Sequence, residues 1–91
     1  MTKQTDVFYY QYLTQAGVVS LIPEAGGRYK VMFRDENLGS YYSAQAAADD
    51  VSGGRTMTPS DGTDLGALDI PGDLGEWERK LFAAISRLRP A

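Results

Sequence analysis

The residues best equipped for chemistry are the acids. Asp35-Glu36 and Asp49-Asp50 are adjacent pairs, and Asp61-Gly62-Thr63-Asp64 is followed by Asp69. Paired carboxylates can divide general acid and base work between them when they face one another. Neighbours on a turn or a helix point in different directions, so both adjacent pairs read as solvated surface. The Asp61–Asp64 stretch has the composition of a calcium loop, which needs oxygen ligands at alternating positions and a closing bidentate acid. Leu65 occupies the third alternating position and no glutamate closes the loop, so these residues read as Asx-turn chemistry.

Other catalytic constellations lack their parts. The chain has no histidine and no cysteine. The usual acid/base near neutral pH, the thiolate and imidazole metal ligands and the Ser-His or Cys-His pairs are therefore missing. Gly26-Gly27 and Gly53-Gly54 match neither a phosphate loop nor a dinucleotide fingerprint, and read as turn and cap glycines. The expectation is a chain that is not an enzyme and uses no metal or cofactor.

Six tyrosines are the remaining unusual feature. Tyrosine combines a stiff apolar face with a polar tip, which suits binding surfaces. Tyr9-Tyr10 and Tyr41-Tyr42 are adjacent, and strand neighbours face opposite ways, so one of each pair should leave the core. Tyr10, Tyr12, Tyr41 and Tyr42 are the candidate contact residues. Arg28, Lys30 and Arg34 are the candidate cationic set, since they fall on one face of an alternating segment.

The elements that position these residues follow from periodicity. Residues 7–13, VFYYQYL, are aromatic and β-branched and read as a strand, with a short helix as the alternative. Phe8, Tyr10 and Tyr12 would line one face of that strand. Residues 18–22 are a second apolar run ending at Pro23, followed by a glycine turn. Residues 28–34 alternate strictly, with Tyr29, Val31 and Phe33 on the inner face. Asp35-Glu36-Asn37 reads as a polar turn, and 38–42 returns as a hairpin strand in which Gly39 marks a bulge.

Ser43 caps a helix over 44–52, whose core stripe is Ala44, Ala47, Ala48 and Val51. Asp49 and Asp50 lie near its C-terminal end, against the helix dipole. Residues 55–72 are irregular, with Leu65, Leu68 and Ile70 pinned to the core. Asp73 and Glu76 form a capping-box pattern for a C-terminal helix over 74–88. Its stripe is Leu74, Trp77, Leu81, Ile85 and Leu88, with Phe82 to one side; it either packs on the chain's own sheet, the preferred reading, with Trp77 as the anchor, or forms a homodimer seam. The fold class is thus α+β, a single domain over 1–91, with a small antiparallel sheet of three to four strands and two helices.

Residues 27–33, then Leu38-Gly39-Ser40-Tyr41, then Ala44 to Asp50 resemble the AP2 type of DNA-binding domain. That family has an alternating strand, a turn, a Leu-Gly strand ending in an aromatic, and an alanine-rich helix. The resemblance covers residues 27–50 and implies a hairpin packed on a helix. In the family the sheet carries basic residues to DNA, and Arg28, Lys30 and Arg34 would be the matching set. The family's denser basic residues and tryptophans are missing here. The chain as a whole is also similar to the small proteins common in bacterial genomes, a likeness that implies no activity.

Nine basic and 12 acidic residues leave a formal charge of −3, with no basic run. That balance gives no broad attraction to nucleic acid or anionic membrane. No apolar stretch approaches the roughly 18 residues that span a bilayer, and Met1 to Asp6 lack a signal-peptide core, so a cytoplasmic location is expected. The leading expectation is a protein-interaction module that binds itself or another protein. A nucleic-acid binder using Arg28, Lys30 and Arg34 is one alternative. An acidic inhibitor or mimic of mobile-element origin is the other.

Overall fold

The computed structural model describes residues 6–84. The architecture is α+β. A five-stranded antiparallel sheet carries one α-helix, among the described residues, on one face. The strands are β1 (Asp6–Thr14), β2 (Gly17–Pro23), β3 (Tyr29–Phe33), β4 (Glu36–Tyr41) and β5 (Glu78–Ala84), in spatial order β4-β3-β2-β1-β5. The helix is α1 (Ala44–Ser52). No helix among the described residues is long and apolar enough to cross a membrane.

Hairpin connections set the register of the first four strands. Tyr10 lies opposite Leu21, Tyr12 opposite Val19, Val19 opposite Phe33, and Leu21 opposite Val31. Cross-strand partners share a face, so these residues form one inner layer. The stripe Ala44, Ala47, Ala48 and Val51 packs onto that layer, and all four are buried. Three of them are alanines, which lets the helix axis approach the sheet closely. Leu65 and Ile70 from the irregular segment are buried, and Leu68 packs partly against the same cluster.

The β3–β4 turn differs from the expectation. The loop is Arg34-Asp35 rather than residues 35–37, and β4 begins at Glu36. Both loop residues have positive φ, 51° and 65°. Two consecutive left-handed residues make the primed turn whose twist matches a hairpin. Gly39 does mark a register shift between β3 and β4. Its φ is +149°, and a Cβ there would lie 3.1 Å from the Tyr41 ring.

The dipole conflict at the end of α1 is resolved by neighbours. Gln45 Nε2 donates to Asp49 Oδ1 at 3.0 Å, and Arg55 Nε donates to Asp50 Oδ1 at 3.1 Å. Arg55 also donates to the Asp49 carbonyl, supplying positive charge where the helix end calls for it.

The largest correction is at the C-terminal end. The helix expected over 74–88 is not formed among the described residues. Asp73 caps only a 3-10 turn, Leu74–Glu76, by accepting from the Gly75 amide at 2.9 Å. Trp77 then turns extended, with φ −89° and ψ 154°, and the chain continues as β5. Residues 85–88 of that expectation lie outside the described residues. Among the described residues the sheet consequently has five strands, not three to four. The physical reason is the outer edge of β1. Its backbone groups need partners, and β5 satisfies them from Gln11↔Glu78 through Asp6↔Ala84.

Candidate interaction surface

The predicted tyrosines do not gather at one surface. Tyr10 and Tyr12 lie on the inner side of β1 and pack against the core cluster. The Tyr10 ring stands 6.2 Å from that of Tyr29, whose hydroxyl donates to the Phe8 carbonyl at 3.1 Å. Burial, and then the neighbouring Tyr10, raises the Tyr29 hydroxyl above its ordinary pKa. Tyr41 is half-buried against the core. Burial, and then the Asp50 carboxylate, push its hydroxyl up to about 12. Tyr42 alone of the four is strongly exposed, at 73%.

The cationic set is dispersed as well. Arg28 donates to the Ser40 hydroxyl at 3.0 Å and to its carbonyl at 3.1 Å, and Ser40 in turn donates to Glu24. Arg34 donates twice to the Ala16 carbonyl and pairs with Asp61. Lys30 lies across from Ser40 and Ile22, on the sheet face away from α1. Both arginines therefore spend donors within the chain.

The acids act as local staples. Thr63 donates to Asp61 through its hydroxyl at 2.6 Å and its amide at 2.9 Å, and Asp64 accepts from the Gly66 amide. Among the described residues no group of three or more acids is placed to hold a metal ion. Glu36 reaches from β4 to Ser60, accepting from its hydroxyl and from its amide at 2.9 Å. These bonds favour the charged carboxylate. The Ser60 hydroxyl and then its amide hold Glu36 below its ordinary pKa, and the Thr63 hydroxyl, its amide and then Arg34 lower Asp61.

A carboxylate whose pKa falls on folding stabilises the fold above its unfolded value, and that contribution disappears as pH drops through the folded value. Urea midpoints should therefore decline as pH falls below the ordinary values of these two groups, 4.5 for Glu36 and 3.8 for Asp61. Glu36→Gln should flatten part of that decline, lowering the midpoint at pH 7 while leaving it nearly unchanged at pH values where Glu36 is protonated in both states.

A different group of side chains does converge, at the β1–β5 side of the molecule. Trp77 is 5% exposed, its ring is 5.8 Å from Tyr12, and its indole N–H donates to the Pro71 carbonyl at 2.9 Å. Beside it an open groove of about 330 Å3 is lined by Tyr10, Leu74, Gly75, Trp77 and Arg79. The Arg79 guanidinium lies 4.4 Å from the centre of the Phe8 ring, and among the described residues it forms no salt bridge. Leu81 and Phe82 follow on β5, 50% and 51% exposed.

The sequence reading makes Trp77 a buried anchor, as it is, but of a helix rather than of β5, and it does not bring Arg79, Leu81 and Phe82 to one sheet edge. A period-two signal was present, with Arg79 and Leu81 on one face and Lys80 and Phe82 on the other. The helical spacing of Leu74, Trp77 and Leu81 masked it. Compared with known protein families, curated proteins and solved structures, the chain shows no match to any.

Proposed function

We propose that the chain is a non-catalytic protein-interaction module whose contact surface is the outer edge of β5 with the adjoining Tyr10–Trp77–Arg79 groove. The observation that carries this reading is the contrast between the two edges of the sheet. At β4 the chain covers its own edge, because the Met57 amide donates to the Leu38 carbonyl at 3.0 Å and Ser60 is held by Glu36. At β5 no described residue pairs with the outer backbone. An unpaired edge with exposed Leu81 and Phe82 is a template for another strand, and such edges are normally shielded. The groove adds aromatic walls and a cation, which suit a partner with an apolar and an acidic side chain.

A photo-cross-linking residue at position 81 tests the reading against one at Leu13, which is 76% exposed on the other sheet face. Adducts mapped to the partner should form at 81 and not at 13. Equal labelling at the two positions would contradict the proposal. The nucleic-acid reading has less support, since Arg28 and Arg34 are engaged within the chain. A gel shift at low salt with no retardation of DNA or RNA is the result expected here.

A further inference from the structure

We propose that the partner at this edge is an extended segment of another protein in which an acidic residue alternates with apolar ones, its carboxylate opposite Arg79. The inference rests on the edge reading above and adds the chemistry and spacing of the occupant. Successive side chains of β5 face opposite sides of the sheet, and cross-strand partners share a side. Arg79 lies across from Tyr10 and Leu81 across from Phe8, while Lys80 lies across from Tyr9. Tyr10 packs against the core, so Arg79 and Leu81 stand on the side that carries α1. The groove between Tyr10, Trp77 and Arg79 opens on that same side.

The two sides of β5 differ in charge. On the far side Lys80 Nζ lies 3.6 Å from the Glu78 carboxylate, and the Phe82 ring packs edge-on against Tyr9 at 6.2 Å. That side neutralises itself. On the α1 side the Arg79 guanidinium is held over the Phe8 ring, and no salt bridge among the described residues uses it. Opposite charges directly across a strand pair are favourable and like charges are not. The residue of an added strand that lies opposite Arg79 is therefore an acid, whereas the residue opposite Lys80 meets no such demand. The acid's neighbours on the same side come two residues away in each direction. One of them meets Leu81, which is half-exposed. The other reaches the groove beside Leu74 and Trp77, whose volume of about 330 Å3 admits a large apolar side chain. The pattern required is apolar, any, acid, any, apolar.

An end-blocked peptide Thr-Leu-Thr-Glu-Thr-Phe-Thr tests this, with Gln or Lys in place of its Glu as controls. Trp77 is the sole tryptophan and the peptides contain none, so its fluorescence reports on the groove, with calorimetry as the second readout. The Glu peptide should bind saturably, the Gln peptide about tenfold more weakly or worse, and the Lys peptide not at all. Arg79→Gln, at an exposed position, should abolish the preference for Glu over Gln with an unchanged far-ultraviolet spectrum. Equal binding of the Glu and Gln peptides to the parent chain overturns the proposal, as does a preference for Glu that survives Arg79→Gln. Failure of every peptide to bind overturns it too. If the photo-cross-linker at 81 still captures a partner in that case, the edge reading stands and only the chemistry of the occupant is wrong. If neither is found, both fall.

Discussion

Trp77→Ala is expected to lower the unfolding free energy by about 3–5 kcal/mol, the range for removing a large buried aromatic. Three contacts are lost together. The indole is 5% exposed, stacks obliquely on Tyr12, and satisfies the Pro71 carbonyl. It also sits at the point where the chain leaves the 3-10 turn and enters β5, so its loss loosens the attachment of the fifth strand. For a domain of this length the total stability is on the order of 5–10 kcal/mol, so the variant retains only a modest margin. Trp77 is the sole tryptophan, and urea melts should be followed by circular dichroism. A shift worth less than about 1 kcal/mol would mean that the indole is not an anchor.

Phe33→Ala should cost a similar amount, about 3–5 kcal/mol, for a different reason. Phe33 is among the largest fully buried side chains and lies opposite Val19 at the end of β3. Its ring also supports the Arg34 guanidinium at 5.1 Å, and Arg34 ties the primed turn to the Ala16 carbonyl. The substitution thus opens a cavity and removes the platform of the two-residue β3–β4 turn. Phe33→Leu, which refills most of the volume, should fall between the two. Equal midpoints for the alanine variant and the parent would contradict the packing described here.

The inner half of this fold was legible because its signals agree at every level. Strict alternation from Arg28 to Arg34, the serine cap at 43 and the small stripe of α1 all point to one arrangement, and the structure has it. The C-terminal segment is not legible in the same way, because its local and tertiary signals conflict. Asp73, Glu76 and the spacing of Leu74, Trp77 and Leu81 make a good helix start, and Glu78 to Ala84 contain no β-branched residue. What decides the outcome is the unpaired edge of β1, a long-range demand that no local window contains. The candidate surface suffered the same way. The chemistry of Tyr10 and Tyr12 suits a contact surface, but which face of β1 is covered depends on α1. Arg79, Leu81 and Phe82 come to one edge, on its two faces, only once β5 lies at the sheet's side.

Amide hydrogen exchange across Glu78–Ala84, compared between the parent chain and Leu81→Lys, tests the central claim most directly. In an edge strand the amides alternate between those bonded to β1 and those pointing outward. The lysine variant should protect only the inward set, and the parent should protect the outward set as well once a partner strand is added to the edge. A continuous protected run with helical chemical shifts would contradict the fifth strand, and outward amides exchanging equally fast in both proteins would contradict its use as a contact edge.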